Sequence, residues 1–265
     1  MIRKHLGQHF LINKSAIKKI ITALNLQPSD TIIEIGSGKG ALTFPLLEEC
    51  KKIGGKILAI EKDPQLAGDL ELGIRNYRGI EILRGDVLKI LPTLIHNSSF
   101  IIPNYKIVGN IPYYITGKLL RILSELENKP SLTVLMIQKE VAERICAKPP
   151  RANLLAAVVQ FWAEPKIIFT LKPRDFNPPP KVNSAVIELE SRIQNLESRT
   201  IKNYYKLIHV IFKQPRKTLL NNLGAGLKMP KNQIEIALKS LKIDPNSRSQ
   251  NLSLDQIKGL SSLLS

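Results

Sequence analysis

Cysteine is nearly absent from this chain. The 265 residues hold two, Cys50 and Cys146, and four histidines, His5, His9, His96 and His209, none in a metal-ligand spacing. That argues against a disulfide framework and against any metal site, and it fits a reducing compartment. No apolar run approaches the roughly 20 residues of a membrane span, so a cytoplasmic protein with no membrane partner is expected. The opening MIRKHLGQHFLINK lacks the apolar core and small-residue cleavage site of a secretory signal. It is basic and free of acid before Asp30, which leaves a transit peptide as the lesser reading. Acid is scarce overall: 22 Asp and Glu stand against 39 Lys and Arg, a net charge of +17. Such an excess points to a polyanionic partner, nucleic acid ahead of a membrane surface. Long internal repeats and low-complexity tracts are also missing.

What is present has the composition of a globular protein, 43% apolar and 23% charged. Ser15 is placed to cap a helix whose apolar positions Ile17, Ile20, Ile21 and Leu24 follow helical spacing. Short β-rich runs then recur at 31–35, 56–60, 80–83, 106–108 and 132–137, with helical stretches such as 41–51 and 117–126 between them. Strands alternating with helices predict an α/β fold with a parallel, doubly wound, Rossmann-like sheet. Ligands of such sheets sit at the carboxyl ends of the strands. Two further β-like runs, 167–171 and 185–189, flank the turn-rich PRDFNPPPKVNS and predict a hairpin at the sheet edge. Residues 191–199 read as a linker. Beyond them Tyr204, Leu207, Ile208, Ile211 and Phe212 form one apolar stripe, Ile234, Leu238 and Leu241 another, and Ser253 with Gln256 a capping box. The expected organisation is a sheet domain over residues 1–195 and a small helical domain over 196–265. Residues 200–265 carry 11 Lys and Arg against 3 Asp and Glu.

EIGSGKGALT (34–43) leaves the first of the repeated strands and opens a helix. Gly36, Gly38 and Gly40 permit tight turning and close approach of a ligand, and the helix start adds free N–H groups. The same spacing satisfies a dinucleotide fingerprint. Glu61, at the end of the next strand, suits a ribose diol in either case, so a nicotinamide enzyme and an S-adenosylmethionine enzyme stand level on the loop alone. Asp86, in RGDV, shifts the balance, because an acid there can accept a hydrogen bond from an adenine amine. An isolated Asp capping a turn is the plainer reading.

GNIPYY (109–114) follows the fourth of these strands. Adenine N6 is a poor nucleophile, since its lone pair is delocalised into the ring. Well-placed carbonyl oxygens that accept its N–H bonds draw it toward tetrahedral geometry. Asn110 offers a side-chain oxygen, Pro112 stiffens the neighbouring carbonyls, and Tyr113 offers a stacking face. Tyr114 is expected to pack in the core. As a plain turn, the same stretch would be a strand-ending Asn-x-Pro with Tyr as filler.

Together GQHFL (7–11), EIGSGKGALT (34–43), IEKD (60–63), GD (85–86), GNIPYYIT (109–116), QKEVAERI (138–145), FNPPPKVNSAVIEL (176–189) and RKTLLNNL (216–223) resemble the KsgA/RsmA-type small-subunit ribosomal RNA adenine N6,N6-dimethyltransferase family nearly end to end. The resemblance implies S-adenosylmethionine as methyl donor, no metal, and two adjacent adenines near the 3′ end of small-subunit RNA as targets during subunit biogenesis. It implies that His9 and Leu11 belong to a segment folding over the donor, that Gly36 and Gly38 lie under it, and that Glu61 and Asp86 meet its ribose and adenine. Asn110 would serve both donor and target amine, and Tyr113 and Phe176 would bracket a flipped base, flipping being required to expose N6. Phosphate contacts are expected from Arg3, Lys4, Lys148, Arg151, Lys213, Arg216 and Lys217, with affinity falling steeply in salt.

Four departures stand out. His9 replaces a frequent asparagine, Pro215 stands where an arginine commonly precedes Arg216, KPPRANLL (148–155) lacks the usual tyrosine–glycine pair, and Gln250 sits where an acid is more usual. The alternatives are a large-subunit RNA methyltransferase of the antibiotic-resistance type and a non-catalytic RNA-binding assembly factor of the same fold. QKEVAERI, RKTLLNNL and the triple proline favour the small-subunit family. A monomer acting on a 30S-type assembly intermediate is expected.

Overall fold

β-Branched runs bounded by glycine and polar turns form the strands of a mixed α/β protein. The computed structural model describes residues 8–96, 104–192 and 198–264. Arg3, Lys4 and the expected boundary at 195/196 therefore lie outside the described residues. In chain order the first elements are β1 (Phe10–Leu11), α1 (Lys14–Ala23), β2 (Thr31–Ile35), α2 (Thr43–Ile53), β3 (Lys56–Glu61), α3 (Pro64–Ile74) and β4 (Ile80–Arg84). Next come α4 (Val87–His96), β5 (Tyr105–Asn110), α5 (Thr116–Glu125), β6 (Leu132–Gln138), α6 (Lys139–Ile145) and α7 (Leu154–Gln160). β7 (Ala163–Leu171), β8 (Phe176–Asn177) and β9 (Ser184–Ser191) follow, and the chain continues with α8 (Ser198–Ile211), α9 (Leu219–Leu227), α10 (Lys231–Ser240) and α11 (Leu254–Leu263).

Seven strands form one sheet in the order β4-β3-β2-β5-β6-β9-β7. β2 to β6 pair in parallel, and β9 runs antiparallel to β6. β7 and β9, the two runs of the expected hairpin, are neighbours at that end of the sheet. β2, β3, β5 and β6 are buried along most of their length, as parallel strands covered on both faces must be. Ile20 of α1, Leu24 just past its end, and Leu46 and Leu47 of α2 pack with Ile32 and Ile57 in one core cluster.

Two local expectations are corrected. The N-cap of α1 is Asn13, whose side chain accepts from the Ala16 N–H, and not Ser15, which lies inside the helix. Both residue types cap well; here Asn13 also donates to Asp175 Oδ1 at 2.8 Å, which fixes where the helix begins. Helix α2 starts at Thr43 rather than at residue 41, because Gly36, Gly38 and Gly40 all sit at positive φ and keep the chain turning.

The chain divides into two compact units, residues 1–142 with 164–192, and residues 143–163 with 193–265. The sequence reading kept 143–163 with the sheet. Their apolar side chains pack with the helical unit instead: Phe161 stacks on Tyr204 of α8 with ring centroids 3.9 Å apart, and the Tyr204 hydroxyl donates to the Ala157 carbonyl. Trp162 is fully buried. The stripe Tyr204, Leu207, Ile208, Ile211 and Phe212 is buried as expected, and α11 begins with the Ser253–Gln256 capping box. In the segment that lacks the tyrosine–glycine pair, the Ala152 N–H donates to the main-chain carbonyl of Gln250.

Candidate active site

In the sheet unit, the chain winds from β2 outward through β3 and β4, then returns to place β5 and β6 on the other side of β2. Ile35 and Gly109 are register partners at that reversal. Loops leaving β2 and β5 therefore diverge and open a crevice, the usual ligand position of this architecture. A cleft of about 1040 Å³, open to solvent, lies there. The expected donor residues His9, Leu11, Gly36, Gly38, Glu61 and Asp86 line it, as do the expected amine residues Asn110, Pro112 and Tyr113.

The glycine loop is shaped by its neighbours. Gly36 and Gly38 have φ of +72° and +55°, and a Cβ on Gly38 would meet the Phe10 ring at 3.1 Å. The Glu61 carboxylate, 6% exposed, braces the loop: Oε2 accepts from the Gly38 N–H and Oε1 from the Asp63 N–H, each at 2.8 Å. Each oxygen keeps a further lone pair for a hydroxyl. Asp86 performs the plainer task as well, its Oδ1 accepting from the Leu88 N–H at the start of α4. Its Oδ2 pairs with Lys62 Nζ at 2.9 Å, and that hydrogen bond holds the carboxyl below its usual range.

Glu34 opens the glycine motif, and the sequence alone assigns it no role. It lines the cleft, fully buried, with Oε2 unpartnered. Burial pushes its carboxyl up from 4.5 to about 7, and repulsion from Glu61 adds to the rise. The Thr43 hydroxyl is near enough to pull the other way, although its oxygen makes no hydrogen bond of good geometry. Below pH 4.5 both folded and unfolded chains hold the proton; above about 7 only the folded chain must bury a charge. Stability therefore falls as pH rises through that window, by about 3 kcal/mol from this group. In donor-free protein, Glu34→Gln should gain melting temperature over wild type at pH 8 and gain little at pH 5. An equal difference at both pH values would show that Glu34 does not titrate there.

Asn110 ends β5 and faces the N-terminal strap. Its Nδ2 donates to the His9 carbonyl at 2.8 Å. A carbonyl only accepts, so the amide orientation is set and Oδ1 is the acceptor end; among the described residues nothing donates to it. The strap is itself tied down. β1 pairs with β8, the Ile12 N–H donates to the Asp175 carbonyl, and His9 Nδ1 lies 2.8 Å from the Pro178 carbonyl. That last contact requires a proton on Nδ1 and leaves Nε2 of the neutral ring as an acceptor. Lys39 lies over the Phe10 ring, 4.9 Å from its centroid.

The aromatic residues depart from expectation. Tyr113 is half-buried, with its hydroxyl 2.7 Å from Ser184 Oγ and its ring 6.0 Å from His9. Burial raises its phenol. Phe176, expected as its stacking partner, is 3% exposed in the hydrophobic core and is not on the cleft wall; its backbone pairs with Leu11. Tyr114, expected in the core, is 58% exposed and lines the cleft. The sequence signal for Tyr114 was its place directly after Tyr113 in the motif. Pro112 has its carbonyl engaged by the Ile115 N–H, which spends one of its lone pairs on the turn.

In the helical unit, Lys213, Arg216 and Lys217 stand in a run of five exposed residues, 213–217, between α8 and the Thr218 cap of α9. Lys148 and Arg151 are exposed in the same unit.

The sequence model of the family described as "Ribosomal RNA adenine dimethylase" matches residues 1–265. A curated relative from Dehalococcoides mccartyi, "Ribosomal RNA small subunit methyltransferase A", is 39% identical over 97% of this chain and 87% of its own. A protein of the same name from Clostridium botulinum is 37% identical over 97% of this chain and 92% of its own. Among solved structures, a dimethyladenosine transferase from Plasmodium falciparum superposes with a TM-score of 0.79, at 25% identity, over 95% of this chain and 96% of its own. The 23S rRNA methyltransferase ErmE superposes at 0.74 over 96% of this chain and 99% of its own; at 23% identity it shows the fold alone.

Proposed function

Because the chain belongs to the ribosomal RNA adenine dimethylase family, we propose that it dimethylates N6 of two adjacent adenines near the 3′ end of small-subunit ribosomal RNA during subunit biogenesis, with S-adenosylmethionine as methyl donor. The observation that carries this reading is the commitment of Asn110 Nδ2 to the His9 carbonyl. It turns the side-chain oxygen into a fixed acceptor at the carboxyl end of β5, beside the glycine loop.

The cleft fits an amino-acid-bearing nucleoside. Gly36 and Gly38 present backbone with no Cβ in the way, Glu61 and Asp86 retain acceptor lone pairs for hydroxyls and an adenine amine, and Glu34 has an oxygen without a partner. When bound, the donor supplies a methyl group on a positively charged sulfur. The protein's part is positioning. Asn110 Oδ1 and a lone pair on the Pro112 carbonyl accept from the target N6–H groups, drawing the nitrogen toward tetrahedral geometry. Tyr113, its hydroxyl tied to Ser184, gives the flipped ring a rigid face. No strong base is needed, because the N6 proton becomes acidic as the methyl arrives. Phe176 acts at one remove, through the β1–β8 pair that sets the strap. Lys148, Arg151, Lys213, Arg216 and Lys217 hold phosphates of the RNA. In this reading residues 1–142 with 164–192 carry the transfer chemistry, residues 143–163 with 193–265 add RNA grip, and the protein works as a cytoplasmic monomer.

Mass spectrometry of small-subunit RNA from unmethylated particles, after incubation with protein and labelled donor, is the test. Two adjacent dimethyladenines are expected. Label found solely in large-subunit RNA, or none in either, would overturn the reading.

A further inference from the structure

Tyr114 has no part in the chemistry above, yet it stands in the same cleft. It follows Tyr113 on a short 3-10 turn, residues 113–115, where consecutive side chains point roughly 120° apart. The two tyrosines are thus sent to different places by one turn. Tyr113 goes inward, half-buried and tied to Ser184; Tyr114 stays at the mouth, 58% exposed. Lys62 lines the same cleft, its half-exposed ammonium paired with Asp86. An open aromatic face with a cation beside it is the pairing that holds single-stranded nucleic acid, base on ring and phosphate near charge.

We propose that Tyr114 is an outer stacking platform for the nucleotide flanking the target adenine in the RNA. The inference rests on the RNA-methylating reading of the cleft and goes further, because it gives a second base its own subsite. A base that leaves the stack deprives its neighbour of a stacking partner, at a cost of a few kcal/mol. Tyr114 offers the neighbour a replacement face at the point where the chain enters, so the flipped arrangement is favoured without any reading of base edges. The flanking base is stacked rather than hydrogen-bonded, so the subsite tolerates any base there and rejects the absence of one.

The test is a two-by-two cycle of kcat/KM. Wild-type protein and Tyr114→Ala are each assayed on unmethylated small-subunit particles reconstituted with RNA carrying either the natural base or an abasic residue next to the target. Tyr114→Ala should lower kcat/KM about 10- to 100-fold on the natural particle, mainly through KM. On the abasic particle wild type should fall to a similar level, and the substitution should then cost little. Tyr114→Phe should restore most of the loss, since the ring and not the hydroxyl does the stacking. Independent, multiplicative losses would overturn the proposal, as would a rise in the donor's dissociation constant that accounts for the whole effect. Failure of the wild type to methylate the natural particle would instead strike the functional reading itself. Tyr114 is exposed, so Tyr114→Ala should keep the wild-type melting temperature.

Discussion

Asn110→Ala should slow single-turnover methyl transfer about a thousandfold while leaving RNA affinity nearly unchanged. Three features of the site lead there. Oδ1 is the acceptor end of an amide whose donor end is already spent on the His9 carbonyl, so truncation removes an oriented group rather than a mobile one. The residue terminates a strand paired on both sides, Asn110 facing Met136 in the register with β6, so the backbone holds its place in the variant. Five of the expected RNA-holding cations, Lys148, Arg151, Lys213, Arg216 and Lys217, belong to the helical unit, whereas Asn110 belongs to the sheet unit. Asn110→Asp separates the two tasks of the side chain. A carboxylate still accepts from an amine, but it cannot donate to the His9 carbonyl and instead sets two oxygens against each other. It should keep more of the transfer step than alanine does and weaken donor binding through the strap. Quenched-flow transfer with donor and RNA titrated separately checks both variants. If Asn110→Ala instead abolished RNA binding with a normal transfer rate for bound complex, Asn110 would be a structural residue.

Much of this site could be read from the sequence because its residues are fixed by position along a strand. A β-rich run followed by glycine or by an isolated acid marks the carboxyl end of a parallel strand, and such ends are gathered at one edge by the topology alone. That is why Gly36, Glu61, Asp86 and Asn110 are found on one cleft. The misses concern side-chain direction and distance along the chain. Nothing in NIPYY says that its second tyrosine turns outward, because that depends on the 3-10 turn closed by the Ile115 N–H on the Pro112 carbonyl. Phe176 reads as a ring beside prolines, but a two-residue pairing with β1 directs it into the core. Residues 143–163 join the helical unit through Phe161 and Tyr204, partners more than 40 positions apart that no local pattern connects. Glu34 is not legible as a special group in the sequence because an acid inside a motif reads as part of the loop; only its burial marks it out, by desolvating the carboxyl.

Lys106→Met should destabilise the protein by about 3–5 kcal/mol and yet leave methyl transfer intact in the folded fraction. Lys106 sits inside β5, in register with Ile32, and its ammonium is nearly buried against Asp30 at 2.7 Å. It also donates to the Asn25 carbonyl, and Asp30 Oδ2 accepts from the Gln27 N–H. Removing the lysine leaves a buried carboxylate with a single neutral donor near it, and that orphaned charge, more than the lost attraction, sets the size of the effect. Asp30→Asn should cost a comparable amount for the mirror reason. The double variant Lys106→Met with Asp30→Asn should recover a good part of the loss, because no net charge is then left to bury. Urea titrations of the four proteins at pH 7 check the cycle. Additive single losses would mean that the two side chains do not depend on each other. The catalytic half of the expectation follows from the strand: Lys106 lies four residues before Asn110, about 13 Å away along the chain. The contacts that orient Asn110 come from the strap at the far end. Stability and catalysis are thus carried by opposite ends of β5. Asn110→Ala should spare the melting temperature and remove activity, whereas Lys106→Met should do the reverse.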